Sequence, residues 1–466
     1  MKLPSIILSI SQQLNEHKAK AIVVGGSVRD HFLGIASKDY DIEVYGLKNM
    51  DELASILQEY GSVNLVGKSF GVLKLVSEGQ EYDFSFPRLE QKIAKGHKGF
   101  SVLVDGSMNF KKAAKRRDFT VNAIGYDVLA KEYLDPYGGK EDIKNKILKN
   151  INNQSFTEDP LRVYRAVQFS ARFDFRLTDE TFDLCKKMLE DGMLDELPKQ
   201  RVYVEFIKLL LKAKKPSAGF RLMKKLGIIE KYFPELHAIV GVPQSAKWHP
   251  EGDVWIHTMM TLDAMQKELE LIKYKLEIAD KQKLKFMFAI LCHDLGKATH
   301  TSIEDDGRIR AIGHEEAGVE PTRNFLYRLT DEHDFIDSIL PLVEHHLKPS
   351  QFYANVAKNK AIRKLATKVN IEELIIVAKA DFLGRTTKES LAGVYHAGEW
   401  MMKKSKGLKV YVKPLDNLLQ GRDLIDIGLE PSSEFKVILD EVYLRQLDGN
   451  ITKKEEAESF VRSKYL

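Results

Sequence analysis

The apolar residues change their spacing partway along the chain, and that change dictates a fold in which strands and helices are segregated. Before about residue 145 they fall in short β-rich runs, Ala21–Val24, Ile42–Tyr45, Val72–Val76, Tyr82–Ser85 and Val121–Tyr126, each bounded by glycine, proline or charge. From about Asp159 onward the spacing is helical nearly to the end, punctuated by Pro198, Pro216 and Pro234 and by Gly227 and Gly241. Strands first and helices afterwards predict an α+β fold, an amino-terminal mixed sheet with helices followed by an all-α remainder. A chain of 466 residues has room for several domains. The stretch from Gly241 to Pro250 reads as a linker, and Thr452 with Glu455 has capping-box spacing ahead of a last helix.

Composition excludes more than it assigns. Basic and acidic residues number 71 and 67, a net charge of +4, so a nucleic-acid surface must come from clustering rather than from the total. Clusters are present: Lys111, Lys112, Lys115, Arg116 and Arg117, and later Arg162, Arg165 and Arg172. The longest notable apolar run, Phe286–Cys292, is far shorter than the about 20 residues needed to cross a bilayer, so no membrane partner is expected. Cys185 and Cys292 are the only cysteines, which argues against a disulfide framework and suits a reducing, cytoplasmic compartment.

The first constellation with chemistry begins at Ile22-Val-Val-Gly-Gly-Ser-Val-Arg-Asp30, an apolar strand running into two glycines and a helix. Glycines let backbone amides approach a phosphate, and Arg29 is placed to fork onto phosphate oxygens. Then Asp39 and Asp41 stand two apart at the start of an apolar strand, so both carboxylates point to one face. Their mutual repulsion is relieved by a divalent cation with hard oxygen ligands, as Mg²⁺ requires. Glu43 shares that face, either assisting or as a solvated edge residue. Arg116 and Arg117 precede a further predicted strand and suit a triphosphate. Pro160 opens a helix on which Arg162, Arg165 and Arg172 share one face, opposite Val163, Tyr164, Val167 and Ala171.

A second constellation follows the linker. His257 lies in WHPEGDVWIH, and His293 and Asp294 close an apolar helix in AILCHDLGK, with His314, His345, His346 and Asp381 downstream. Imidazole and carboxylate together are ligands for divalent transition metals, and a water activated there attacks phosphoesters. His257, His293, Asp294 and Asp381 form the expected set, with His314 and one of His345 or His346 as extensions.

In order and spacing, GGSVRD with KDYD, RRDFTVNAI, DPYGG at Asp135–Gly139 and EDPLRVYRAVQFSARF resemble the bacterial tRNA nucleotidyltransferase and poly(A) polymerase family over roughly the first 180 residues. The segment GVPQSAKWHPEGDVWIHTMMTL with LCHDLGK resembles the HD phosphohydrolase superfamily, and in particular the HD-bearing members of that transferase family. The resemblance implies Gly26 and Arg29 on the nucleotide, Asp39 and Asp41 on Mg²⁺, Arg117 on the triphosphate, and Asp159, Arg162 and Arg165 reading the incoming base. It further implies addition of CCA to tRNA from CTP and ATP, with phosphatase and 2′,3′-cyclic phosphodiesterase activity behind it. Residues 1–145 are expected to be a polymerase-β-like head, 146–240 a neck and body, 241–395 the HD domain and 396–466 a helical tail. In that tail Lys403, Lys404, Lys406 and Lys409 are either a tRNA contact or a solvated face. Between Phe86 and Lys112 the chain departs from the arginine-rich flexible loop of many members, which leaves a CC-adding or A-adding specialist, or a poly(A) polymerase, as alternatives. A nucleotide phosphohydrolase with a nucleotide-sensing head is the alternative from another class. The sequence is compatible with a monomer or a homodimer.

Overall fold

The computed structural model describes residues 1–37, 39–66, 71–92, 100–273 and 278–466. These divide into two compact units, Met1–Ala213 with Ala218–Ile228, and Lys214–Ser217 with Ile229–Leu466. Lys38 of the KDYD motif and residues 93–99 of the departing loop lie outside the described residues.

The first unit is built on strands β1 (Lys20–Val24), β2 (Tyr40–Tyr45), β3 (Ser62–Val66), β4 (Val72–Ser77), β5 (Gln80–Ser85), β6 (Arg88–Lys92), β7 (Phe100–Val104), β8 (Gly125–Asp127) and β9 (Glu132–Leu134). A 7-stranded sheet has the order β3-β4-β5-β2-β1-β8-β9, while β6 and β7 form a separate antiparallel hairpin. Within the large sheet only β2 and β5 run parallel, and this parallel pair lies at its middle. Four of the five β-rich runs are therefore strands. Val121–Tyr126 is not: a 3₁₀ turn spans Thr120–Asn122 before β8 begins at Gly125. The cause is local, because the Asp118 carboxylate accepts from the Phe119 amide at 2.8 Å and from Asn122 Nδ2 at 2.9 Å, and such bonds compete with a ladder.

Helices follow as the spacing predicts. In Leu161–Phe173, Val163, Tyr164, Val167 and Ala171 are buried, while Arg162, Arg165 and Arg172 are partly exposed on the other side. This helix packs on Lys199–Lys212, with Tyr164 and Phe206 ring centroids 6.4 Å apart. Asp135 of the DPYGG segment is structural, since its two oxygens accept from the Gly139 and Lys140 amides at 2.7 and 2.9 Å.

In the second unit helices Val254–Lys273, Asp280–Cys292, His333–Glu344 and Ile371–Leu383 pack around one another. Every residue from Phe286 to Cys292 is buried, so that apolar run is a core helix. The stretch after Gly241 is no slack tether. The Val254 amide donates to Val242 O at 3.0 Å and the Gly241 amide to Asp253 Oδ2 at 3.1 Å, closing residues 241–253 into a pinned loop. At the carboxyl end, Leu419, Leu424, Ile438, Val442 and Val461 belong to a small core of their own. There Glu456, not Glu455, accepts from the Thr452 amide at 2.7 Å. No helix among the described residues is long and apolar enough to cross a membrane.

Candidate functional sites

The sheet register brings the first constellation together. Val24, the last residue of β1, pairs with Asp41 on β2, which puts the carboxylate beside the glycine turn. Gly25 has φ +74°, and a Cβ there would sit 2.9 Å from Arg117 Nη1 and 3.5 Å from Asp41 Oδ2. The backbone thus demands glycine at 25, one residue before the Gly26 that sequence reading favoured, and a Cβ at 25 would crowd the end of Arg117. Gly26 opens the helix Gly26–Phe32 and lines the same cleft, a cavity of about 430 Å³.

Asp39 lies exposed just ahead of β2. Across the parallel pair Asp41 faces Asp83, whose Oδ1 is buried with no hydrogen bond among the described residues. Crowding by protein raises the pKa of the Asp41 carboxyl although solvent still reaches it from the cleft; Arg117 opposes the rise, and Asp83, Glu43 and Asp39 add to it. Converging, undercompensated carboxylates suit a divalent cation, so the residues present fit one. Sequence reading missed Asp83, because only the β2–β5 register reveals it.

Glu43 is neither a metal-facing nor a solvated residue. It is buried, and it accepts from Arg117 Nη2 at 2.9 Å, Arg116 Nη2 at 3.2 Å and Tyr45 Oη at 2.7 Å. Burial works against its charge, yet the two guanidinium groups keep its pKa below the ordinary value. Glu43 thereby aims both arginines into the cleft.

A buried polar chain extends from there. Arg29 donates through Nε and Nη2 to Asp30 Oδ1 and through Nη1 to Asn122 Oδ1 at 2.6 Å, and its guanidinium carbon lies 4.5 Å from the Phe173 ring centre. Asn122 reaches Asp118, and Asp118 Oδ2 accepts from Arg165 Nε at 2.7 Å. Burial alone would raise the Asp118 carboxyl; Arg165, Arg162 and these hydrogen bonds hold it at about 2. Arg162 donates to the carbonyls of Ser155 and Arg116 at 2.7 and 2.5 Å, and Asp159 Oδ2 meets Arg201 Nη2 at 3.3 Å. Arg201 was missed, since nothing in the local sequence of its helix marks it. Asp41, Arg117, Asp159, Arg162, Arg165 and Arg29 all line this one cleft.

The second constellation converges more tightly. Ligand-type atoms of His257, His293 and Asp381 lie within 4.8 Å of one another, as do those of His293, Asp294 and His346. His293, His314 and His346 share one device. Each Nδ1 bonds a backbone carbonyl three residues earlier, of Ile290, Ala311 and Val343, at 2.6–2.7 Å. A carbonyl can only accept, so each Nδ1 carries a proton, and in the neutral ring it is Nε2 that holds the lone pair for a metal. These three Nε2 atoms and Asp294 Oδ1 are buried without a hydrogen-bond partner among the described residues, while Asp294 Oδ2 is ion-paired with Lys297 Nζ at 2.7 Å. Such a donor set fits a divalent metal. Against the cost of burial, His293 and Lys297 hold Asp294 well below the usual carboxylate range, and burial near His293 and His314 pushes His346 down to about 3.

His257 Nε2 stands 3.0 Å from Asp381 Oδ1, while its Nδ1 stands 2.7 Å from Glu251 Oε1. Glu251, unremarked in the sequence, therefore orients His257, and it is itself anchored by the Thr386 amide at 3.1 Å. Arg385 Nη2 pairs with the other oxygen of Asp381 at 2.7 Å. Of the adjacent pair, His346 Nε2 approaches Asp294 Oδ1 at 3.8 Å, whereas His345 Nε2 lies 3.7 Å from Glu344.

Three families match the chain: the Poly A polymerase head domain over residues 21–149, the probable RNA and SrmB-binding site of polymerase A over 174–240, and the HD domain over 254–385. A multifunctional CCA protein of Chromobacterium violaceum is 38% identical over 327 residues, 70% of this chain and 74% of that protein. One from Pasteurella multocida is 33% identical over 407 residues, 85% of this chain and 91% of its own length. The fold is that of the CCA-adding enzyme of Bacillus stearothermophilus solved with CTP, with a TM-score of 0.68 at 20% identity, covering 100% of this chain and 98% of that one. The Thermotoga maritima CCA-adding enzyme complexed with tRNA aligns with a TM-score of 0.60 at 22% identity, over 99% and 95% of the two chains. With head, RNA-binding and HD segments in this order and relatives matched over most of their length, the chain belongs to the bacterial tRNA nucleotidyltransferase family, among the multifunctional CCA proteins.

Proposed function

We propose that the protein adds and repairs the 3′-terminal CCA of tRNA without a nucleic-acid template, using CTP and ATP and releasing pyrophosphate. Its HD domain is a phosphohydrolase acting as phosphatase and 2′,3′-cyclic phosphodiesterase. What supports the transferase most directly is the meeting of Asp41, Gly25 and Arg117 in a cleft that also holds Asp159 and Arg162. Its volume, about 430 Å³, lies in the range of small-ligand sites. Solved neighbours of this fold include CCA-adding enzymes in complexes with CTP, ATP and tRNA.

Division of labour follows from residue chemistry. Arg116 and Arg117, aimed by Glu43, neutralise the triphosphate, and Gly25 lets the backbone approach it. Arg29 and Gly26 flank the nucleotide. Asp159 offers an acceptor, and Arg162 and Arg165 offer donors, to the Watson–Crick edge of the incoming base, so side chains act as the template. Magnesium bound by Asp39 and Asp41 would supply charge neutralisation at the reacting phosphate. At the HD site, a divalent transition metal held by His257, His293, Asp294 and Asp381 would supply Lewis-acid activation of a phosphoester. Lys297, 2.7 Å from Asp294 Oδ2, and Arg385 add positive charge for the phosphate. Residues 1–145, 146–240, 241–395 and 396–466 then serve as head, neck and body, HD domain and tail. Two buried free cysteines accord with work in the cytoplasm.

The test supplies Mg²⁺, labelled CTP or ATP, and tRNA lacking all of CCA, lacking only the last A, or complete. Incorporation that stops at CCA is expected. Long A tails would indicate polyadenylation, arrest after two C residues a specialist, and phosphate release without incorporation a hydrolase.

A further inference from the structure

The HD cavity, about 460 Å³, has a floor and a rim of different chemistry. At the floor stand Asp294, His346, Asp381, Lys297 and Arg385, groups suited to a phosphate and its metal. The rim carries two large apolar side chains left in solvent, Trp248 at 55% exposure and Ile312 at 75%. Trp255, only a few residues on, is buried in the core as an indole ordinarily is. Trp248 contributes nothing comparable to the core, although its loop is well anchored. The amides of Trp248 and His249 both donate to Ser245 O at 3.0 and 2.9 Å, and Gln244 Oε1 accepts from Lys297 Nζ at 2.7 Å. An anchored loop holding an exposed indole over a phosphate site is a stacking platform for a flat ring. Lys247 Nζ, 5.0 Å from the indole centre, adds a cation where an anionic ligand enters.

We propose that this cavity accepts one terminal nucleotide, with Trp248 stacking on its base against Ile312 while Lys297 and Arg385 hold its phosphate. The HD site then discriminates nucleoside phosphoesters from other phosphate esters through Trp248. This rests on the hydrolase assignment above and names a specificity residue for it.

Full-length protein supplied with Mn²⁺ would be assayed on a nucleoside 2′-monophosphate and on glycerol 2-phosphate, which lacks a base. Tryptophan fluorescence would be followed separately, in EDTA, as the nucleoside monophosphate is added. In Trp248→Ala, KM for the nucleotide should rise by roughly tenfold with kcat within about twofold, the size expected for one lost base–aromatic stack. The preference for nucleotide over glycerol 2-phosphate should fall by a similar factor. Trp248→Phe should keep most of that preference yet lose the fluorescence quenching seen in the parent. Equal losses on both substrates, an unchanged preference, or quenching that survives in Trp248→Phe would overturn the proposal. If the parent hydrolysed neither substrate, the hydrolase assignment would fall, and the quenching comparison in EDTA would still decide whether Trp248 stacks on a base.

Discussion

Asp83 stands directly opposite Asp41 across the parallel pair β2–β5, with one buried oxygen that bonds nothing among the described residues. The relationship makes Asp83 a third carboxylate at a site expected to have two. Replacing it with Asn keeps the shape and removes the charge. Asp83→Asn should raise the Mg²⁺ concentration for half-maximal nucleotide incorporation by about 10–100-fold, the usual effect of losing a group that supports a metal. A Mg²⁺ titration of labelled CTP incorporation checks it, and an unchanged midpoint would remove Asp83 from the site.

Glu43 sits under the two cleft arginines as their shared buried partner. Removing one member of a buried ion pair leaves the other uncompensated, at a cost of about 3–5 kcal/mol. Glu43→Ala should therefore lower stability toward urea by about that amount and weaken CTP binding as well. Denaturation curves with and without CTP separate the two effects.

Asp118 gives a pH signature. Its folded pKa, about 2, lies below the ordinary carboxyl value of 3.8, so it binds its proton less readily in the folded state. Its contribution is fully present above pH 4 and is lost as pH falls through the folded value. The shift corresponds to about 2 kcal/mol. Asp118→Asn should be less stable than the parent by about that amount at pH 6–7, and the gap should shrink from pH 4 toward pH 3. Urea midpoints of both proteins across that range are the measurement, and a gap independent of pH would exclude the linkage.

Of the adjacent pair His345 and His346, His346 turns its Nε2 toward Asp294 and His345 toward Glu344. His346→Ala should lower Mn²⁺ affinity at the HD site by at least about tenfold, while His345→Ala should leave it within about twofold. Calorimetric Mn²⁺ titration distinguishes them, and equal losses would contradict the assignment.

How much of this the sequence made legible follows from the range of the forces involved. Asp39, Asp41, His257, His293 and Asp294 stand in short local patterns whose spacing carries the chemistry proposed for them, so the sequence alone singles them out. Helix Leu161–Phe173 was readable too, because amphipathic spacing is local. Asp83, Glu251 and Arg201 were not, since each gains its meaning from a partner on another element: Asp41 by strand register, His257 through the 241–253 loop, and Asp159 in the turn between helices Asn153–Glu158 and Leu161–Phe173. Gly25 and Gly26 look alike in sequence, and what separates them is the positive φ of Gly25 and the approach of Arg117 to it. The strand expected at Val121–Tyr126 failed because Asp118 bonds its own neighbours, an outcome that β-propensity does not register.

The two-site account meets its most direct test in paired assays on folded full-length variants. Asp39→Ala and Asp41→Ala should each abolish incorporation of labelled CTP and ATP into tRNA while hydrolysis of a 2′,3′-cyclic nucleotide continues. His293→Ala and Asp294→Ala should each stop that hydrolysis and leave incorporation intact. Loss of both activities from either pair, in protein that still unfolds cooperatively, would contradict the claim that two separate metal-dependent sites share this chain.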